Sequence, residues 1–323
     1  MSGGFFVHKT GGPEAMLWSE RTLGAPGPGE LLVRNRAIGL NFIDVYQRAG
    51  LYPLPLPFVP GNEGAGEVTA IGPGVTDFAV GDRVGYTGPV GAYAEERLMP
   101  AGKAFPIPDG IDYETAAGVM LKGNTAYYLL FLTWPLKAGE TILVHAAAGG
   151  VGQLLCQWAS AIGARVIGTA GSAKKLEIAK ASGCSDVINY QTEDFAEGVK
   201  ELTGGRGVDV VYDGVGKATF ERSLDCLRPR GLMVSFGNAS GVVSIPDLGI
   251  LARKGSLYVT RPTTASYFST SEEMRAAAKA TFDAVLIGTI KVGINHRFAL
   301  KNAPEAHRAL EARETSGSVI LLP

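Results

Sequence analysis

Cysteine is scarce in this sequence, with three in 323 residues: Cys156, Cys184 and Cys226. They lie far apart, and an odd number leaves one without an intrachain partner. A reduced compartment suits that usage, and a disulfide framework does not. Only four histidines occur, His8, His145, His296 and His307, and none forms a ligand-spaced pair. Net charge is nearly absent, at −1. That leaves no broad positive field, and no Lys/Arg cluster stands out, so neither nucleic acid nor an acidic membrane surface is an expected partner. Long hydrophobic runs are missing too. The longest mostly apolar stretch, Tyr127 to Leu136, is half a membrane span and contains Pro135. Met1 to Ala15 has no apolar core of signal-peptide length. These absences lead us to expect a cytoplasmic chain. No internal repeat or low-complexity segment is evident.

What is present is glycine, 44 residues of it, and an apolar content of 46%. The length suits about two globular domains, and two textures divide the chain. Up to about residue 122 it is rich in Gly and Pro with short alternating runs, such as Glu30–Ile38, Gly66–Ile71, Asp82–Tyr86 and Tyr93–Met99. This predicts a compact, mostly β domain. From about 123 strand and helix patterns alternate. Thr141–Ala146 is a short apolar run. Val151, Leu154, Leu155, Trp158, Ala159 and Ile162 then recur at helical spacing up to Gly163. Arg165–Ala170, Asp186–Tyr190, Val208–Asp213, Gly231–Phe236 and Ser256–Thr260 complete six strands. Ser172 reads as a helix N-cap and Gly183 as a stop. Such βαβ alternation predicts a parallel, doubly wound sheet in an α/β protein. After Arg261-Pro262 the pattern shows one long helix, Glu272–Ile287, and a short strand, Ser318–Leu322, expected to return to the first domain. The domains are therefore expected at 1–122 with 263–323, and at 123–262.

The most specific motif is Ala146-Ala147-Ala148-Gly149-Gly150-Val151-Gly152. It follows a strand and opens an amphipathic helix, the context that a dinucleotide fingerprint requires. Ala147, Gly149 and Gly152 occupy the three glycine positions, with alanine in the first. Gly149 lets the backbone approach a pyrophosphate, Gly152 lets helix and strand pack closely, and the helix N-terminus favours negative charge. The bland alternative is a strand-to-helix turn that merely needs glycine, and the surrounding βαβ pattern weighs against it.

Cofactor choice is read at the end of the second strand. An NAD site usually places Asp or Glu there for the ribose 2′-hydroxyl. This chain has Thr169-Ala170-Gly171-Ser172-Ala173-Lys174-Lys175, with no acid. Ser172 can donate a hydrogen bond and Lys175 supplies charge, so NADPH is expected. Tyr190, at the end of the next strand, is a further candidate for the adenosine side.

Gly139-Glu140-x-x-Leu143, Ala147-Ala148-Gly149-Gly150-x-Gly152 and Gln157 together resemble the quinone oxidoreductase (zeta-crystallin-like) family of zinc-free medium-chain dehydrogenases/reductases. Supporting stretches are Ala37 to Asp44, Asp186-Val187-Ile188-Asn189-Tyr190 and Arg230 to Asn238, so the likeness runs essentially the whole chain. It implies a GroES-like catalytic domain completed by the C-terminal tail, a Rossmann-type domain between, and NADPH-dependent reduction of quinones. Carried over by position, Asn41, Tyr46, Tyr52 and Arg261 would line the acceptor pocket, and Thr125, Phe236 and Asn238 would lie near the nicotinamide. Gly149, Gly150 and Val151 would face the pyrophosphate, and Ser172, Lys175 and Tyr190 the 2′-phosphate. Asp44, one helical turn from Asn41, could equally be a cap or a structural pair.

Zinc-dependent relatives carry a Cys near position 41, a Gly-His-Glu stretch and a lobe of four cysteines. Here the first two places hold Asn41 and Gly61-Asn62-Glu63, and no Cys precedes 156. Amides are poor zinc ligands. Without a Lewis acid an alcohol is hard to oxidise, whereas a quinone is already electrophilic and needs mainly positioning. His145, in the first sheet strand, reads as a satisfied core residue. Cys156 and Cys226 fall in helix patterns and Cys184 precedes a strand, so all three read as packing residues. Two other readings stay open: reduction of activated C=C bonds in enals or enones, and a non-enzymatic structural or RNA-binding role. The uncharged strand Ser256–Thr260, expected at a sheet edge, together with the resemblance, predicts a homodimer.

Overall fold

A computed structural model describes residues 1–323. The chain divides into two compact units. One comprises Met1–Asn124, Thr270–Leu286 and Val292–Pro323, and the other comprises Thr125–Ser269 and Ile287–Lys291.

The first unit is built on a seven-stranded sheet. Its main path runs Ile294–Ala299, Ser318–Leu322, Glu30–Leu40, Glu63–Ile71, Arg83–Thr87 and Ala104–Pro106, with Glu96–Pro100 also paired to Glu30–Leu40. Along Glu30–Leu40, Leu31 and Val33, and beyond a register irregularity between Asn35 and Ala37 also Ile38 and Leu40, enter a core with Val68, Val84, Tyr86, Tyr93 and Leu321. The tail strand does return to this unit: Val319 pairs with Leu40 and Leu321 with Ile38, antiparallel. A separate hairpin-like pair, Ser2–Val7 with Met16–Arg21, flanks the sheet.

The region after 263 holds more than the single long helix and final strand expected there. The helix spans Ser271–Leu286, but a strand, Ile294–Ala299, and a second helix, Ala303–Glu311, follow it. Pro304 does not interrupt this second helix. It sits in the first turn of the helix, where no N–H is required of it.

The second unit is a six-stranded sheet in the order Asp186–Asn189, Arg165–Ala170, Thr141–Val144, Val208–Asp213, Leu227–Ser235 and Tyr258–Thr260. Every pairing is parallel. The order reverses direction beside Thr141–Val144, which is the topological switch point of a Rossmann sheet, where such sheets bind ligands. Ile142, Leu143, Val166, Ile167, Val210 and Val211 are all fully buried, as strands covered on both faces require. Tyr127 to Leu136 is no span. A π-helical turn, Tyr128–Thr133, occupies most of it, and no helix is long and apolar enough to cross a membrane.

Residues 263–269 and 287–291, placed by the sequence division in the first domain, pack in this unit. Tyr267 stacks on Tyr128 at 4.8 Å between centroids, and Gln157 exchanges two hydrogen bonds with the backbone of Lys291. His145 is buried between the hydroxyls of Thr169 and Ser223, each at 2.9 Å, as a satisfied core residue should be. The three cysteines are free and buried. Cys226 lies beyond the end of the helix Phe220–Leu224, just before a strand, and not within a helix as its pattern suggested.

Candidate active site

In the second unit, the strand Thr141–Val144 leads through a tight turn into the helix Gly150–Ile162. Ala146 takes a positive φ of 51° so that the chain can reverse, and Gly149 N–H donates to Ala146 O at 2.8 Å. A side chain at Gly152 would overlap the carbonyl of Ala146 and the backbone of Ala147. At Gly149 an added Cβ would lie 3.1 Å from the same carbonyl. No side chain caps this helix N-terminus. Gly150, Val151 and Gly152 stand in its first turn, whose N–H groups have no intrahelical acceptor. The turn therefore presents bare backbone donors and the positive end of the helix, a cradle for a pyrophosphate.

The neighbouring strand, Arg165–Ala170, ends at Gly171, where a Cβ would sit 2.6 Å from the Tyr190 hydroxyl. Tyr190 is thus folded back over Gly171, with its N–H on Ala170 O at 3.2 Å. Ser172 caps the next helix, Ala173–Ala181, accepting the Lys175 N–H at 3.4 Å. Ser172, Lys175 and Tyr190 are brought together at the carboxyl ends of two adjacent strands. The chain from Thr169 to Lys175 carries no acid. The donor set fits a dianionic 2′-phosphate.

Across the switch point the strand Leu227–Ser235 ends in Phe236-Gly237-Asn238. Phe236 N–H donates to Asp213 O at 2.8 Å, and Gly237 is held against Gly214 so closely that any side chain would overlap its carbonyl. Arg261 belongs to this unit. Its Nη1 donates to the carbonyls of Ser235 at 2.8 Å and Gly237 at 3.0 Å, clamping the turn that carries Phe236 and Asn238. Thr125 is buried in the helix Tyr113–Tyr127. Sequence reasoning missed Asp213. This fully buried carboxylate takes the N–H groups of Val215 at 2.7 Å and Gly216 at 3.1 Å and the Thr219 hydroxyl at 2.8 Å, and so shapes the facing loop.

In the first unit, Asn41 is the N-cap of the helix Phe42–Ala49, which Gly50 closes at a φ of 87°. Asn41 N–H donates to Asp44 Oδ2 at 2.9 Å, so Asp44 does cap the helix. The Asn41 amide donates to Glu63 Oε2 at 2.8 Å. Buried Glu63 also takes Lys122 Nζ at 2.9 Å and Leu121 N–H at 2.6 Å. Gly39 is obligatory here, because a side chain would overlap the Glu63 carboxylate. The Asn62 amide donates to Asp44 Oδ1 at 2.6 Å and to Gln47 Oε1 at 2.7 Å. Tyr46 and Tyr52 form a half-buried edge-to-face pair at 5.2 Å.

A second layer lies behind Asp44. Tyr93 Oη is 3.1 Å from Asp44 Oδ2 and 3.0 Å from His307 Nε2, while Arg48 Nη1 is 3.3 Å from His307 Nδ1 and 2.8 Å from Glu311. Arginine can only donate, so His307 accepts at Nδ1, carries its proton on Nε2 and passes that bond to Tyr93, which donates to Asp44. Every bond in the chain points at Asp44. Burial raises its carboxyl to about 6 despite the donors from Asn62, Asn41 and Tyr93. Burial, then Arg48, lowers His307 to about 3, so the ring is neutral. Burial and the Asp44 charge push the Tyr93 hydroxyl well up.

The donor chemistry here does not fit zinc. At the two ligand positions stand Asn41 and Asn62, both committed as N–H donors to carboxylates. No group of three or more His, Cys, Asp or Glu side chains is placed to hold a metal.

The alcohol dehydrogenase GroES-like domain family matches residues 27–109, and the zinc-binding dehydrogenase family matches residues 150–282. A quinone oxidoreductase of Pseudomonas aeruginosa is 56% identical, the match covering 97% of each chain. A 2-haloacrylate reductase of a Burkholderia species is 48% identical over 98% of each chain. A crystal structure of Escherichia coli quinone oxidoreductase complexed with NADPH superposes with a TM-score of 0.97 at 50% identity, covering 99% of this chain and all of that one. Fold and site thus define a medium-chain dehydrogenase/reductase with a GroES-like and a Rossmann-type part. Within that class, the chain belongs to the quinone oxidoreductase family.

Proposed function

We propose that this protein reduces quinones with NADPH by metal-free hydride transfer. The observation that carries this is the phosphate cradle at Gly149-Gly150-Val151-Gly152 beside the acid-free set of Ser172, Lys175 and Tyr190. The relatives named above support it. NADPH, when bound, supplies a hydride, and the quinone takes that hydride and one proton to become hydroquinone. Gly149 to Gly152 hold the pyrophosphate, and Ser172, Lys175 and Tyr190 hold the 2′-phosphate. Thr125, Phe236 and Asn238 border the nicotinamide, and Arg261 fixes the turn that carries Phe236 and Asn238 through Ser235 and Gly237. Asn41, Tyr46 and Tyr52 receive the acceptor. Asn41 spends its N–H groups on Glu63 and Gly39 O, so it offers the acceptor an oxygen and no proton. The hydroxyls of Tyr46 or Tyr52, or water, then supply the proton.

The Burkholderia relative favours a second reading, reduction of an activated C=C bond in the same pocket. Turnover of a benzoquinone, an enone and a 2-haloacrylate, measured side by side, separates the two. A kcat/KM highest for the quinone supports the first reading, and one highest for the haloacrylate supports the second.

We further propose a homodimer joined through the edge strand Tyr258–Thr260. Tyr258, Val242 and Leu248 are exposed apolar residues of the same unit, and no charge interrupts the strand. Three free, buried thiols suit a cytoplasmic location.

A further inference from the structure

Arg97, on the strand Glu96–Pro100, is 2% exposed and forms no ion pair. Its Nη2 donates to Pro89 O at 3.0 Å and Val90 O at 3.3 Å, and its guanidinium lies 4.6 Å from the centre of the Tyr86 ring. Its Nε and Nη1 donate to nothing. An arginine stays charged at any physiological pH, and a buried charge without a counterion is costly. The cost is compounded nearby. Arg21, at the end of the strand Met16–Arg21, packs over the Phe6 ring at 5.5 Å and also lacks an acidic partner. Burial, and then the charge of Arg97, lower its pKa. Strand alternation turns Glu20 to the opposite face from Arg21, so the nearest acid in sequence does not serve. The acids beside Arg97 are also engaged, Glu95 by Gly3 N–H and Glu96 by Arg34.

Both arginines line one cleft of about 330 Å³, whose remaining walls include Phe6, Phe58, Val59 and Leu98. The cleft lies wholly within the first unit, and none of its residues belongs to the reductase site. Two unneutralised guanidinium groups at a cleft walled in part by aromatic and aliphatic side chains call for an anion with an apolar body. Inorganic phosphate would leave the aromatic and aliphatic walls wet, and a neutral ligand would leave the charges bare.

We propose that this cleft is a binding site for a small organic monocarboxylate, its carboxylate against the Arg21–Arg97 pair and its hydrocarbon part against Phe6 and Phe58. Arg21, half-buried at the strand end, makes the accessible contact, and Arg97 supplies the charge beneath.

The test is calorimetric titration of the full-length protein, saturated with NADPH, with benzoate, benzyl alcohol and inorganic phosphate in turn. Saturable binding of one benzoate per chain is expected, with benzyl alcohol and phosphate at least about tenfold weaker. Arg21→Gln should weaken benzoate by about tenfold or more and leave quinone turnover unchanged. Arg97→Met should abolish benzoate binding, with the melting temperature reporting whether that variant folds. If Arg97→Met does not fold, Arg21→Gln alone decides. Equal benzoate affinity in wild type and Arg21→Gln would overturn the proposal. So would benzyl alcohol or phosphate binding as tightly as benzoate, or an absence of benzoate binding at about 10 mM.

Discussion

Asn41 donates its side-chain amide to Glu63 across 2.8 Å, at a position where zinc-dependent relatives carry a metal-binding cysteine. Asn62 does the same toward Asp44 at 2.6 Å. Each amide fills with a hydrogen bond the place of a ligand. The carboxylates that remain are held by protein donors: Lys122 and Leu121 N–H on Glu63, and Tyr93 and Asn41 N–H on Asp44. This buried lattice fixes the start of the helix Phe42–Ala49, and hence the placing of Tyr46.

Cofactor discrimination should reside in Lys175. Replacing it with alanine is expected to weaken NADPH binding by about 1–3 kcal/mol, the scale of a charge-assisted hydrogen bond. NADH binding should barely change. Fluorescence titration of both cofactors checks this, and equal losses for the two would move the 2′-phosphate elsewhere.

Gly152 is expected to be irreplaceable, because even a methyl group there overlaps Ala146 O. Gly152→Ala must displace either the turn or the helix Gly150–Ile162. The variant should melt at lower temperature, and NADPH should raise the melting point of wild type but not that of the variant. A variant that NADPH stabilises normally would show that the cradle tolerates a side chain.

These glycines were legible because their roles are local. Strand, glycines and amphipathic helix follow each other within about twenty residues, and parallel strands buried on both faces read as apolar runs. The Arg48–His307 contact was not legible, since its partners stand 259 positions apart. A histidine with no ligand-spaced neighbour looks idle until the fold supplies one. The helix Ala303–Glu311, which carries His307, was not among the expected elements. Arg261 was a site candidate through family likeness alone, and its clamp on Ser235 and Gly237 depends on backbone carbonyls that no motif encodes. Asp213 could have been found only as an acid at a strand end before Gly214, a weak signal.

His307 should make the protein sensitive to acid. Its folded-state value, about 3, lies below the usual value for histidine. The unfolded chain therefore binds the extra proton between about pH 6.5 and 3, and stability present above 6.5 is lost as pH falls through that window. Asp44, raised to about 6, acts oppositely: its contribution is full below about 4 and is lost as pH rises through 6. His307→Gln keeps a donor toward Tyr93 and removes only the first effect. Urea unfolding should find the variant less stable than wild type at pH 7.5, with the deficit shrinking by about 2 kcal/mol or more at pH 4.5. A deficit independent of pH would mean that His307 titrates normally in the folded chain.

The edge strand Tyr258–Thr260 gives a test of assembly. Light scattering should report about twice the chain mass at micromolar concentration. Val259→Pro removes a backbone donor and disturbs the local geometry, so it should favour monomer. A wild-type monomer would remove the dimer proposal, and a folded, fully dimeric variant would place the interface on another face.

NADPH is expected to reduce a quinone here by metal-free hydride transfer. The most direct measurement is steady-state NADPH oxidation by a benzoquinone, using enzyme dialysed against EDTA, with zinc content determined on the same sample. Metal-free transfer requires undiminished kcat, one NADPH consumed per hydroquinone formed, and zinc far below one per chain. Activity that falls with EDTA and returns in proportion to added zinc would contradict it.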